Sequence, residues 1–559
     1  MATAVNRVTP GSAEARPPQA AAEGSLGFFH PEADSLPAVP KSDQTRVSPP
    51  RPSAVPPVPL AELAQILGVA AAEGAAATGI TGITHDSRAV RPGDLYVAFA
   101  GANHHGAAFA GQAAAAGALA VLTDPAGAEQ AGGLAVPLLV VPSPRAFMGA
   151  LAARIYGDPS RALLTIGITG TNGKTTTSYL VEGGLRGAAR TPGVIGTVEM
   201  RVGTERIKSE RTTPEATELH AILAVMRERG ADAVVMEVSS HALVFGRADG
   251  VQYDVAVFNN LTPEHLDFHP DMEDYFAAKA RLFEVGRSRV AVVNLDDAYG
   301  RRLAAEAAIP VTTFSAKGAA DADWRALDVQ LGPIGSTFRV LGPDGRQADA
   351  SVPLPGPFNV SNALAAITAL VTAGLPLAEA VAGVAAVPGV PGRLERVDAG
   401  QDFVAVVDYA HKPDALRAVL ESLREVTKGR LHVVVGCGGD RDPFKRGPMG
   451  ASAARLADTA VLTSDNPRSE DALAILASML GGAVEVPEDE RGDVLVVPDR
   501  AAAIAAAVAR AHAGDTVLVA GKGHELGQYV KGEVRPFDDR EVLRAAITRR
   551  HPDRGVEQP

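Results

Sequence analysis

The chain has 559 residues, too many for one hydrophobic core, so its length predicts two to four domains. Hydrophobic residues make up 46% and charged residues 21%, and the net charge of -12 excludes a general nucleic-acid or anionic-membrane binder while permitting local basic pockets. The single cysteine, Cys437, excludes an intrachain disulfide. The N-terminus lacks an apolar signal core, and no apolar run reaches the roughly 20 residues of a membrane span. A cytoplasmic monomer acting on small molecules, without membrane or nucleic-acid partners, is expected.

Residues 1–59 hold 12 of the 40 prolines and show little periodicity. That composition buries too little apolar surface to offset the entropy of ordering, which predicts a disordered tail. Beyond Leu60, strand-like runs alternate with Ala/Leu-rich helical stretches, the pattern of α/β domains with parallel sheets. "GDPSRALLTIGITG" and the Pro/Gly-rich "VPGVPGRLERV" mark two boundaries. The expected domains are 60–157, 158–390 and 391–552.

The stretch "ALLTIGITGTNGKTTTSYLVEGGL" reads as an apolar strand, a glycine-rich loop and a helix opened by Lys174. In Gly170, Thr171, Asn172 and Gly173 the backbone N–H groups can wrap phosphate oxygens at a helix N-terminus. Lys174 would reach the phosphates, and Thr175, next to Thr176, would ligate Mg2+. Ile168 stands where the strict phosphate-loop spacing has glycine. A second apolar strand, "ADAVVMEV", ends in Glu237, a carboxylate suited to a Mg2+ shell or to a structural strand end.

From Met272 an apolar stripe of Tyr275, Phe276, Leu282 and Phe283 predicts a helix, with Lys279 in the middle of the stripe. A buried ammonium is costly, so Lys279 either snorkels or is chemically changed, for example by CO2 to an anionic carbamate able to bind Mg2+. His265, upstream, is a loop histidine or a metal ligand.

In the last domain four apolar runs each stop at a polar motif: "FVAVVDYAHKPD", "LHVVVGCGGDRD", "TAVLTSDNPR" and "DTVLVAGKGHE". Parallel pairing would place all four motifs at the strands' carboxyl ends, where open α/β sheets bind ligands. Arg441, Arg468 and Glu525 would then converge, two carboxylate clamps and one ammonium acceptor suited to a zwitterion with a spare carboxylate. Locally, Arg468 also reads as a solvated charge before a helix capped by Ser469.

The motifs "GITGTNGKTTT", "TTPEAT", "EVSSHAL", "EHLDFH" with Lys279, "NLDD", "GPFNVSNALAA", "PGRLE" and "VDYAHKPDAL" come in the order seen in Mur ligases. From about Leu60 to about Ala546 the chain resembles that family, and within it the members that add diaminopimelate to UDP-MurNAc-L-Ala-D-Glu. The resemblance implies a small UDP-binding α/β domain, a central phosphate-loop ATPase domain and a Rossmann-like domain. It implies ATP and Mg2+ as requirements, with a CO2-derived carbamate on Lys279. It places Ser87 and Arg88 near UDP, and Thr212, Thr213, Ser239, Arg247 and Lys279 on the muramoyl-dipeptide. Asn294, Asn359, Arg393 and Asp408 would join the phosphate loop around ATP. Thr175, Glu237, His265 and carbamylated Lys279 would serve the metal. Arg441, Asp465, Asn466, Pro467, Arg468, Gly521 and Glu525 would form the diaminopimelate pocket. Phe245 and Glu264 depart from the residues usual in the family. The competing readings are an L-lysine-adding ligase, another amide ligase of the superfamily such as a folate polyglutamate synthetase, and a phosphate-loop ATPase without ligase activity.

Overall fold

The computed structural model describes residues 50–550 except 102, 203–204 and 208–210. Residues 1–49 of the expected tail and 551–552 of the expected last domain lie outside the described residues. Residues 50–59, expected to belong to the tail, are among the described residues and are docked on the first domain. Val58–Pro59 pairs antiparallel with Gly79–Ile80, Val58 is buried, and Arg51 meets both oxygens of Asp94 at 2.6 and 2.8 Å. Proline fits an extended edge strand, and one apolar side chain with one ion pair suffices to dock it.

Four short parallel strands follow: Gly82–Thr84, Asp94–Val97, Ala120–Thr123 and Leu138–Val140, paired in chain order. Leu63, Leu95, Leu122 and Leu151 pack on one face, and Tyr96, Ala110, Ala113 and Val121 on the other. A sheet covered on both faces needs apolar runs rather than alternation, which is how these strands read.

The central sheet has eleven strands. Seven are parallel, in the spatial order Pro192–Ile195, Ala233–Glu237, Leu164–Thr169, Tyr253–Phe258, Ser288–Asn294, Val311–Ser315 and Trp324–Leu331. Helices Lys174–Gly187 and Pro357–Thr372 pack on one face through Leu180, Leu185, Leu364 and Leu370. Ala216–Glu228 and Met272–Ala280 cover the other through Leu219, Ile222, Tyr275 and Phe276. The sheet is not purely parallel, as the sequence had suggested. Ser336–Leu341 and Gln347–Val352 extend one edge antiparallel, and Met200–Val202 with Glu205–Ile207 extend the other. Ser336–Leu341 alternates buried and exposed residues, the mark of a sheet with one wet face.

The last sheet has the order Glu395–Arg396, Val404–Asp408, Thr516–Ala520, Leu431–Val435, Thr459–Leu462, Asp493–Val496. The four strands whose ends carry polar motifs are adjacent and parallel. Asp408 lies opposite Ala520, Ala520 opposite Val435, and Val435 opposite Leu462. Their carboxyl ends therefore form one edge, and the motifs that follow share it. All described residues belong to one compact unit. Among them no helix is long and apolar enough to cross a membrane.

Candidate active site

The strand Leu164–Thr169 ends in the loop 170–173, and helix Lys174–Gly187 begins directly after Gly173. Gly173 has φ 85°, and a Cβ there would come within 2.2 Å of Asn362 Oδ1, so only glycine fits the turn. The loop is braced by the next strand end: Thr171 N donates to Asn260 O at 2.9 Å and Asn172 N to Asn260 Oδ1 at 2.8 Å. Behind it runs a buried chain of amides and hydroxyls. Asn259 Nδ2 donates to Thr177 Oγ1 at 3.0 Å, Thr177 Oγ1 to Asn362 Oδ1 at 3.4 Å, and Asn362 Nδ2 to Asn359 Oδ1 at 3.1 Å. Asn259, Asn260, Thr177 and Asn362 escaped the sequence reading; the strand-end pair "NN" at 259–260 was the available signal.

Lys174 Nζ donates to Gly170 O at 2.8 Å and Thr171 O at 2.9 Å. Lys279 Nζ, fully enclosed, donates to the same Gly170 O at 3.0 Å and sits 4.7 Å from the Tyr275 ring centroid. Burial lowers the Lys174 ammonium from its ordinary value despite Glu264 and Glu237 nearby. Burial, reinforced by Lys174, pushes Lys279 well below its ordinary value. The stripe lysine is thus buried rather than snorkelling, and the phosphate loop is what it faces.

Glu237, at the end of its strand and opposite Ile168, is buried. Its Oε1 and Oε2 accept from Thr197 N and Oγ1, both at 3.0 Å, and Thr197 Oγ1 lies 3.0 Å from Thr212 Oγ1. Thr213 Oγ1 donates to Glu237 O at 3.0 Å, and Ser239 caps the short helix Ser240–Val244. Four residues expected at the dipeptide and metal sites therefore share one strand end. His265, in the left-handed region at φ 57°, contacts Glu264 Oε1 at 3.1 Å, and Lys412 of the last domain pairs with the same carboxylate. Burial alone would raise the Glu264 carboxyl; His265, Lys412 and Lys174 outweigh it and hold the group below the usual carboxylate range. The departure at 264 thus forms a link between domains.

Arg393 Nη2 donates to Thr175 Oγ1 at 3.3 Å, and its guanidinium lies 4.6 Å from the Tyr409 ring centroid. The last domain thereby reaches the phosphate loop at Thr175, beside buried Thr176. Asp408, expected to hold ATP, spends both oxygens on backbone: Leu394 N and Ala410 N donate to it, each at 2.7 Å. It braces the segment that carries Arg393, and burial raises its pKa against the pull of Arg393. Asn294 and Asn359 are likewise engaged with backbone, at Asn259 O and Pro355 O, both at 2.8 Å.

In the first domain Arg88 is exposed and held in a bidentate pair with Asp86 at 2.8 Å, and Ser87 lies beside Tyr96, whose phenol burial pushes up to about 12. Arg247 donates to buried Glu215 at 2.9 Å, as does Arg145 from the first domain at the same distance. Both guanidiniums stack against Phe245, at 5.2 and 5.4 Å. The apolar departure at 245 thus serves as an arginine platform.

At the shared edge of the last sheet, Asn466 Nδ2 donates to Glu525 Oε2 at 2.8 Å. Arg468 has φ 52°, pairs by backbone with Tyr529 and Lys531 in the hairpin 527–536, and donates from Nη1 to Gly439 O at 2.5 Å. Pro467 is buried, and Asp465 Oδ2 is a buried acceptor without a partner among the described residues, 2.7 Å from where a Cβ on Gly521 would lie. Arg441 is exposed; it and Glu525 both act on the Tyr409 phenol, and Arg441 and Arg468 both act on Asp440. The reading of Ser469 as helix cap is corrected: Asp471 caps Ala472–Val484, whereas Ser469 Oγ donates to Asp440 at 2.6 Å. Glu470 binds Arg446 at 2.8 Å.

Among the described residues no three His, Cys, Asp or Glu side chains are gathered for a metal ion. The donors near the loop are instead a hydroxyl, a carboxylate and an imidazole. That set fits Mg2+, which takes few protein ligands and completes its shell with water and substrate phosphates.

A glycine-rich phosphate loop, two lysines on one loop carbonyl and an arginine brought to it by a second α/β sheet define an ATP-dependent ligase. The chain belongs to the Mur ligase family. It matches the family's catalytic domain over residues 79–156, its middle domain over 168–370 and its glutamate ligase domain over 392–523. It is 69% identical to the UDP-N-acetylmuramoyl-L-alanyl-D-glutamate–2,6-diaminopimelate ligase of Streptomyces avermitilis, over 83% of this chain and 92% of that protein. It is 70% identical to the ligase of that name from Streptomyces coelicolor, with the same coverage. A solved structure of a ligase bearing that name superimposes with a TM-score of 0.66 at 32% identity, covering 89% of this chain and 99% of the other.

Proposed function

We infer that this chain joins diaminopimelate to the D-glutamate γ-carboxylate of UDP-MurNAc-L-Ala-D-Glu at the expense of ATP, a step of peptidoglycan precursor synthesis. The observation that carries the reading is the shared edge of the last sheet. It brings Arg393 to Thr175 of the phosphate loop and also carries Asn466, bonded to Glu525, and Arg468, bonded to Gly439 O, the residues this reading takes as the amino-acid site.

The γ-carboxylate oxygen attacks the γ-phosphorus of ATP; ADP leaves and an acyl phosphate forms. Lys174 and Arg393 offset the charge that builds on the transferred group, so most of the rate comes from positioning and fixed electrostatics. The free amine of diaminopimelate then attacks the acyl carbon, the C–N bond forms, the C–O bond to phosphate breaks, and the amine loses a proton. Thr175, Glu237, His265 and Lys279 would hold the metal, which when bound neutralises phosphate charge. Lys279 supports the carbamate reading through its lowered basicity and its conflict with Lys174 over Gly170 O. A neutral amine adds CO2 and releases a proton, and the resulting anion relieves that like-charge contact. Thr212, Thr213, Ser239 and Arg247 would meet the dipeptide, Ser87 and Arg88 the uridine.

In the amino-acid pocket, Arg441 and Arg468 would take the distal carboxylate and Glu525 the distal ammonium of diaminopimelate. Lysine lacks that carboxylate and would leave a guanidinium without its partner. Phosphate release tests the reaction class. It should require ATP, UDP-MurNAc-L-Ala-D-Glu and an amine together; equal ATP turnover without the dipeptide would establish an ATPase instead.

A further inference from the structure

The motif "AGKGHE" at 520–525 begins where its strand stops: Ala520 ends the strand, and Lys522 stands between two glycines at positive φ, Gly521 at 114° and Gly523 at 55°. This turn sends the Lys522 side chain inward, where it is fully enclosed. Its ammonium makes two contacts that define it. Nζ donates to Asn466 Oδ1 at 2.9 Å and to Glu525 Oε2 at 3.0 Å. Asn466 in turn donates to the same Glu525 Oε2 at 2.8 Å and accepts from Tyr529 N at 3.0 Å. The three side chains close a triangle with both bonds to Glu525 on one oxygen, Oε2, so that neither bond uses Oε1. The base of the triangle is anchored too. Arg500, fully buried and paired with Asp539 at 2.7 Å, donates to Ala520 O at 3.0 Å.

We propose that Lys522 is the positioning residue of the amine pocket: it locks Asn466 and Glu525 in one arrangement so that Glu525 Oε1 receives the distal ammonium of the diamino acid. The proposal rests on the diaminopimelate reading given above. An enclosed ammonium must be fully hydrogen-bonded to be tolerated. Here the partners that satisfy it are the groups expected to touch substrate, so a core contact and a binding geometry are the same contact. Without Lys522, Asn466 Oδ1 loses a donor and Glu525 gains rotamers.

The test uses the full-length chain with Lys522→Met and Lys522→Gln. A charge-assisted contact of this kind predicts a rise in KM for diaminopimelate of about 10- to 100-fold in the Met variant and less in the Gln variant. KM for ATP and for the dipeptide should stay within about twofold, because neither site touches the triangle. Combining Lys522→Met with Glu525→Gln should cost little more than the worse single change, since both act through one contact. A fall in kcat with KM for diaminopimelate unchanged, or effects that multiply in the double variant, would overturn the proposal. So would a structure of the wild-type chain with diaminopimelate in which Glu525 breaks from Lys522, a measurement that stands even if the variants fail to fold. A wild-type chain that does not use diaminopimelate at all would bring down the functional reading and this proposal together; unchanged variants of an active wild type bring down the proposal alone.

Discussion

Lys174 and Lys279 donate to one carbonyl, that of Gly170, and that conflict is the most informative contact in the central domain. If Lys279 acts as a carbamate, Lys279→Ala should lower turnover by about 100-fold or more, and added CO2 should not restore it. Near-normal turnover in that variant would remove the carbamate. Lys279 was legible in the sequence because a cation interrupts an apolar stripe. Arg468 was legible only in company: alone it reads as a charge beside a helix, and its role emerges from three other motifs at the same sheet edge. Lys522 and Arg145 were not legible, since nothing in "GKGHE" or "PSPRAF" says which way a long cationic side chain turns. Their partners, Glu525 with Asn466 and Glu215, lie 3 to 70 residues away.

At the level of elements, the phosphate loop depends on the glycine at 173 and on the asparagine chain behind it. Gly173→Ala would force a side chain into the left-handed region and against Asn362. It should cost about 1–3 kcal/mol in urea unfolding and weaken ATP binding more than diaminopimelate binding. An unfolding midpoint equal to wild type would show that the turn relaxes freely. The parallel strands were readable because burial on both faces demands unbroken apolar runs such as "AVVME" and "VAVVD". Their spatial order was not, because periodicity carries no information on neighbours. The antiparallel additions at the sheet edges were missed because a polar residue, Ser336, holds a buried position there and the neighbouring strand Trp324–Leu331 exposes several residues in a row. Proline content hid the edge strand Val58–Pro59, which buried Val58 and the Arg51–Asp94 ion pair dock.

Across the whole molecule, the contacts that join the last domain to the central one include Arg393 to Thr175 and Lys412 to Glu264. If its guanidinium serves the transferred phosphoryl group as proposed, Arg393→Ala should lower kcat by about 100-fold or more while melting near the wild-type temperature. The last domain also carries two partly buried histidines, both packed on Tyr409. Burial, with Lys445 and Lys412, pushes His411 down to about 3, and burial, with Arg393 and Arg540, pushes His524 down to about 4. Both start from 6.5, so below about pH 6.5 the unfolded chain binds protons that the folded chain refuses. Stability should therefore fall as pH drops from 6.5 toward 4, read as the urea midpoint at pH 7.5, 5.5 and 4.5, and His411→Gln should flatten the slope. A midpoint that rises on acidification would contradict this electrostatic picture.

The central claim is that this pocket selects an amine by its second carboxylate. The ratio of kcat/KM for diaminopimelate to that for L-lysine, measured by phosphate release with saturating ATP and UDP-MurNAc-L-Ala-D-Glu, tests it most directly. A guanidinium left without its carboxylate predicts a ratio on the order of 10³ or higher, falling steeply in Arg468→Ala. A ratio near one, or a preference for lysine, would contradict it.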